Sequence, residues 1–130
     1  MLGQGKFAHL AIANPKLAPY GAAAMETLDK LGLRERLAPR LVQGDSIGQA
    51  HQFVVSGAAP LGFVALSQVT VGGKLQAGSA WVVPAAMYTP LRQDAVLLGP
   101  GKDKPAALAF LRYLKGEPAR ALIRAYGYDL

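Results

Sequence analysis

The seven residues Phe7-Ala8-His9-Leu10-Ala11-Ile12-Ala13, closed by Asn14-Pro15, decide how the chain is organised. A short, nearly continuous apolar run ending in a turn pair reads as a β-strand. Past the proline-rich turn through Pro19, Ala22, Met25, Leu28 and Leu31 recur at helical spacing within 21–31, and Gly32 supplies the helix-ending glycine. The same order then repeats. Leu41-Val42-Gln43 reads as a short strand, Gly44-Asp45-Ser46 as a turn with cap residues, and 47–56 as a helix ending at Gly57, with Ile47, Ala50 and Val54 on one face and Phe53 beside them. Pro60-Leu61-Gly62-Phe63-Val64-Ala65-Leu66 reads as a third strand, apolar on both faces as buried parallel strands are. The order β-α-β-α-β predicts an α/β fold with right-handed crossovers.

Beyond this point Gly72-Gly73-Lys74 and Gly78 predict a surface loop over 71–79. Ala80-Trp81-Val82-Val83 and Asp94-Ala95-Val96-Leu97-Leu98 read as strands separated by the stretch Pro84 to Pro90, and Gly99-Pro100-Gly101 ends the second. The tail reads as two helices. Ala107, Leu108, Leu111 and Leu114, with Phe110 beside them, form one apolar stripe that Gly116 stops; Glu117-Pro118 opens the next, whose apolar face is Ala121, Leu122, Ala125 and Tyr126.

Composition narrows the function classes. At 130 residues the chain has the length of one compact domain, which buries roughly two-thirds of its unfolded surface without disulfides or a structural metal. The 52% hydrophobic content excludes a disordered chain. With no cysteine and only His9 and His51, the sequence argues against zinc fingers, iron–sulfur clusters, thiol catalysis and any metal held directly by side chains. Fourteen Lys and Arg against eight Asp and Glu give +6, but the basic residues are dispersed; their densest cluster is Arg34, Arg36 and Arg40. That distribution predicts solvated surface rather than a nucleic-acid face. No run reaches the ~18 apolar residues of a membrane span, and Met1 to Lys6 lack the apolar segment of an export signal.

Catalytic groupings are absent from the pattern. Ser46, Ser56, Ser67 and Ser79 lack the Gly-x-Ser-x-Gly elbow, no two acidic residues have hydrolytic spacing, and Gly72-Gly73-Lys74 lacks the spacing of a phosphate loop. His9, placed in a strand, and His51, placed in a helix, read as packed or surface imidazoles. Two strand-to-helix junctions remain. At Pro19-Tyr20-Gly21 the N–H groups of Tyr20, Gly21 and Ala22 are expected to lack intrahelical acceptors, and at Asp45-Ser46-Ile47-Gly48 the same is expected of Ile47 and Gly48. Such N–H groups, with the positive end of the helix dipole, hold an anion without any charged side chain. In a parallel sheet both junctions lie at the carboxyl ends of strands, where crevices form. The competing reading is that Asp45 or Ser46 caps its own helix and water satisfies the rest.

The ordered set Asn14-Pro15-Lys16-Leu17-Ala18-Pro19-Tyr20-Gly21, Leu28-x-x-Leu31-Gly32, Gly44-Asp45-Ser46-Ile47-Gly48-Gln49-Ala50, Ala59 through Gln68, Pro90 through Ala95 and Phe110 through Tyr128 resembles the substrate-binding proteins of molybdate ABC transporters over essentially the whole chain. The resemblance implies the type II periplasmic-binding-protein fold, two α/β lobes closing over a tetrahedral oxyanion, molybdate or tungstate, with no cofactor and no catalysis. It places Tyr20 and Ile47 on positions that donate backbone N–H groups to the anion, supported by Gly21, Ser46 and Gly48. Some members add a tyrosine hydroxyl where this chain has Ala65. The resemblance further implies that 1–90 form the second, ligand-closing lobe and that 91–130 form the returning strand and C-terminal helices of the first lobe, most of which has no counterpart in the chain. On that basis the sequence is expected to be a C-terminal portion with an incomplete site, periplasmic, and partnered with an ABC permease through which alone it meets a membrane. Its apolar positions Leu108, Leu111 and Leu122 are expected to seek a homodimer or a domain swap. The same fold also serves as the effector-binding domain of transcription regulators, which would need a helix-turn-helix segment upstream.

Overall fold

A computed structural model describes residues 2–130 and divides them into two compact units. The first comprises the chain up to Gln68 together with Trp81–Leu91; the second comprises Val69–Ala80 and Arg92–Leu130.

In the first unit the elements run β1 (Leu10–Ala13), α1 (Pro19–Lys30), α2 (Arg34–Leu37), β2 (Leu41–Gly44), α3 (Ile47–Val55), β3 (Leu61–Gly62) and α4, which starts at Leu66 and ends at Val69. The three strands form one parallel sheet in the order β2-β1-β3. The central strand β1 is buried at every position, which is why its sequence is a run rather than an alternation. Its register pairs Leu10 with both Leu41 and Leu61, and Ala13 with Gly44. The chain leaves β1 toward one neighbour and then crosses to the other side, so the strand order reverses between β1 and β3.

Helix α1 packs on β1, and α3 packs across all three strands. The core gathers Leu10, Leu28 and Leu37, ringed by Leu2, Phe7, Met25, Leu33, Leu41, Leu61 and Phe63. The inward face of α1 is Gly21, Ala24, Thr27 and Leu28. It is rotated from the predicted stripe, of which Ala22, Met25 and Leu31 are only half-buried. Small residues let the helix approach the strand closely, and Thr27 resolves its buried hydroxyl by donating to the Ala23 carbonyl at 2.8 Å. Arg40 fastens the leading segment: its Nη1 donates to the Gly5 and Phe7 carbonyls, and its guanidinium lies 5.6 Å from the Phe7 ring centroid. The segment Trp81–Leu91 is tied to α1 through Lys30 Nζ, which donates to the Ala86 carbonyl at 2.6 Å, and through Glu26 Oε2, which accepts from Thr89 N–H at 2.6 Å.

The second unit contains a two-stranded antiparallel hairpin, β4 (Thr70–Val71) and β5 (Lys74–Leu75), and the helices α5 (Pro105–Leu114) and α6 (Glu117–Ala125). The predicted loop over 71–79 is therefore partly a hairpin. Gly72 and Gly73 both have positive φ, the geometry that closes a two-residue hairpin, so the glycine pair is structural. Gly73 N–H donates to the Ala125 carbonyl at 3.0 Å and seats the turn against the end of α6.

Two predicted strands are not strands. Ala80–Val83 and Asp94–Leu98 have no regular structure and pair with no strand among the described residues. Apolar β-forming composition cannot make a strand without a neighbouring edge to receive its backbone hydrogen bonds. The third predicted strand, 60–66, is paired only at Leu61–Gly62 because the chain turns into α4.

Candidate functional site

Both strand-to-helix junctions meet one edge of the sheet. A Cβ placed on Gly21 would lie 2.2 Å from the Ala13 carbonyl oxygen and 2.7 Å from the Asn14 carbonyl carbon, so the first turn of α1 rests directly on the carboxyl end of β1. A Cβ on Gly44 would lie 2.9 Å from Ala50 N and from Gln49 Cβ, so the first turn of α3 rests on the carboxyl end of β2. Ala13 and Gly44 are register partners, and Asn14 N–H donates to the Gly44 carbonyl at 2.7 Å. Two helix N-termini thus start from adjacent, hydrogen-bonded strand ends at the carboxyl end of the sheet.

The turn into α1 is built by Asn14. Its carbonyl accepts from Leu17 N–H and Ala18 N–H at 3.0 and 2.9 Å, and its Oδ1 accepts from Lys16 N–H at 3.0 Å, an Asx turn that reverses the chain. Ala18 caps the helix without a side-chain oxygen, and Pro19 takes the first helical position, where a missing N–H costs nothing. The expectation of unused N–H groups at Gly21 and Ala22 fails here. Both donate to the Ala18 carbonyl, at 2.9 and 3.3 Å, because the first turn tightens around its cap. Gly21 contributes close approach rather than a donor. Tyr20, half-buried, opens this turn.

At α3 the cap predicted by the competing reading is present, and it is incomplete. Ser46 Oγ accepts from Gln49 N–H at 3.2 Å and the Ser46 carbonyl accepts from Ala50 N–H at 3.1 Å, while Gln49 Oε1 reaches back to Asp45 N–H at 2.7 Å. The Ile47 and Gly48 N–H groups have no acceptor among the described residues. Space beside Gly48 is open: a Cβ there would meet only Ser46 Oγ, at an ordinary 3.6 Å. With nine residues behind it, α3 directs the positive end of its dipole at these two donors.

Ala65 is buried just ahead of α4, and its N–H donates to Gln68 Oε1 at 3.0 Å. Gln68 Nε2 donates in turn to the Ile47 carbonyl at 3.3 Å. Neither glutamine was singled out by the sequence. The spacings Ser46-x-x-Gln49 and Ala65-x-x-Gln68 are the signal that would have found them, since a glutamine three residues after a cap reaches back to the helix start. The histidines take no part: His9 is exposed just ahead of β1, and His51 sits half-buried in α3. Among the described residues no group of three or more His, Asp or Glu side chains could hold a metal ion, and no helix is long and apolar enough to cross a membrane.

This arrangement is similar to known proteins along its whole length. Residues 1–129 match the family pattern of the bacterial extracellular solute-binding proteins. The chain is 60% identical over 130 residues to the molybdate-binding protein ModA of Azotobacter vinelandii and 55% identical over 120 residues to that of Rhodobacter capsulatus, covering 52% and 46% of those proteins. The solved periplasmic molybdate-binding protein of Azotobacter vinelandii superposes with a TM-score of 0.90 at 43% identity, over 99% of this chain and 57% of that one. The chain therefore spans about half the length of the curated relatives it matches, and its α/β architecture is that of one lobe of a periplasmic-binding fold. With a family match over nearly every residue and the fold superposing to the same extent, the chain belongs to the bacterial extracellular solute-binding proteins.

Proposed function

We propose that this chain forms one side of a binding site for a tetrahedral dianion, molybdate or tungstate, in a periplasmic protein that delivers the anion to an ABC permease and catalyses no reaction. The observation that carries this function is the pair of helix starts seated on the hydrogen-bonded ends of β1 and β2, in a chain 60% identical to a molybdate-binding protein. Backbone N–H groups of Tyr20 and Ile47 are the proposed donors, with Gly48 beside them and Ser46 shaping the turn. In this assignment 1–90 correspond to the ligand-closing lobe, and 91–130 to the return segment and terminal helices of the other lobe.

Neutral, fixed donors suit a dianion that must leave water. Each hydrogen bond to the charged oxygens offsets part of the desolvation cost, and a rigid set of donors selects by anion size. Molybdate and tungstate, alike in size and charge, bind such a site equally, and the smaller sulfate binds poorly. One side of a donor cage binds weakly. Calorimetry of the 130-residue chain is expected to give weak, saturable binding of molybdate and tungstate and none of sulfate at the same concentration. Ile47→Pro deletes one donor at a helix position where proline is tolerated, and it is expected to weaken molybdate binding at least tenfold with helix content unchanged. Equal binding of sulfate, or an Ile47→Pro chain that binds as the parent does, overturns the assignment.

A further inference from the structure

We infer that Gln68 is a positioning residue for the anion donors, holding the first turn of α3 in the orientation that presents the Gly48 N–H. The inference rests on the function proposed above and extends it to a residue outside the helix that carries the donors.

Gln68 spends both ends of its amide. Oε1 accepts from Ala65 N–H at 3.0 Å, and Nε2 donates to the Ile47 carbonyl at 3.3 Å. The second contact reaches 21 positions back along the chain, to the residue proposed as a donor. A peptide unit is planar and trans, so the Ile47 carbonyl and the Gly48 N–H belong to one rigid plane and point in opposite directions. Whatever fixes that carbonyl also aims that N–H. The opening turn of a helix is where such a restraint matters, because its N–H groups have no intrahelical partners and its backbone frays first. The Ile47 carbonyl has a second lone pair to offer beyond the one its own helix uses.

The segment that supplies Gln68 is itself anchored. Gln68 N–H donates to the Ala65 carbonyl at 3.0 Å, and Ala65 is buried, so the side chain projects from a fixed base in α4. A glutamine acting only as the cap of α4 would use Oε1 and leave Nε2 to solvent. The second bond, to the first turn of a different helix, is what a cap alone does not require.

The test is nuclear magnetic resonance on the 15N-labelled chain, as the parent, Gln68→Leu and Gln68→Glu, with sodium molybdate as the probe and sodium sulfate as control. Gln68→Glu keeps the acceptor for Ala65 N–H and loses the donor to Ile47, and the uncharged Gln68→Leu controls for its added charge. In the parent, molybdate is expected to move the Ile47 and Gly48 amide resonances saturably. In both variants without ligand, the Gly48 order parameter is expected to fall from about 0.85 toward about 0.6, and the molybdate dissociation constant to rise about tenfold, while the amides of β1 keep their shifts. If molybdate leaves Ile47 and Gly48 unmoved in the parent, the proposed function fails and this inference with it. If the parent responds and Gln68→Glu retains both the Gly48 order parameter and the affinity, the positioning role alone is overturned. Should Gln68→Leu lose its β1 shifts through misfolding, the Gln68→Glu result decides.

Discussion

Leu28 and Leu122 are the same side chain on two amphipathic helices, and their surroundings differ in kind. Leu28 is 0% exposed, in a core with Leu10 and Leu37 against a strand paired on both sides; Leu122 is 58% exposed, in a unit whose only buried residues among those described are Thr70 and Ala119. In the first unit β1 completes its backbone hydrogen bonding, since it has a parallel neighbour on each side. In the second, the apolar stretch 94–98 finds no edge, and Val96 and Leu98 stand 79% and 68% exposed. Helical segments satisfy their backbone internally and so form in either setting. A strand must borrow its partners, and among the described residues of the second unit only β4 and β5 find them, in each other.

Hydrogen exchange tests this contrast with the largest expected effect. Amides of β1 should exchange at least about a thousandfold more slowly than those of 93–98, because the former open only with the unit as a whole and the latter are unpaired. Equal protection in the two segments would erase the contrast. Next in size is the same deletion made in both places. Leu28→Ala should cost about 2–5 kcal/mol in a chemical denaturation series, whereas Leu122→Ala should stay within about 0.5 kcal/mol. A comparable loss at Leu122 would mean that the second unit has a core after all. Glycine substitutions give a finer comparison. Gly21→Ala forces a methyl against the Ala13 carbonyl and should cost at least about 1–3 kcal/mol. Gly99→Ala meets nothing within 4 Å at a φ open to any residue, and should be neutral or stabilise by up to about 1 kcal/mol through the unfolded chain. Thermal melts of the two variants read the difference directly.

The same distinction explains what the sequence made legible. The β1-α1-β2-α3 order could be read because each element carries its own evidence: the run at Leu10–Ala13, the spacing through Leu28, the Ser46 cap and the terminating Gly32 and Gly57. Strand composition at Ala80–Val83 and Asp94–Leu98 was equally plain, but a strand is a relation between two segments, and no single-segment pattern reports the absent one. The hairpin at 70–75 was missed for a related reason, since Gly72-Gly73 fits an open loop as well as a tight turn until pairing is known. At the candidate site the helix starts were legible from Pro19 and Ser46. The return of the Gly21 and Ala22 N–H groups to the Ala18 carbonyl was not, because it depends on how tightly one turn closes. The bridge from Gln68 to Ile47 is a long-range contact whose far end leaves no trace in local spacing.

The open amides at the start of α3 have a consequence for how such a protein tolerates change. A donor that belongs to the main chain survives nearly every side-chain replacement, so residue identity at position 47 can drift while the chemistry stays. An alanine scan would leave these donors in place and report instead on Gln68, whose amide reaches the Ile47 carbonyl, and on Gly21 and Gly44, where the main chain is squeezed into position. Under the proposed assignment recognition depends on backbone geometry, and the residues most sensitive to change are the small ones that permit it.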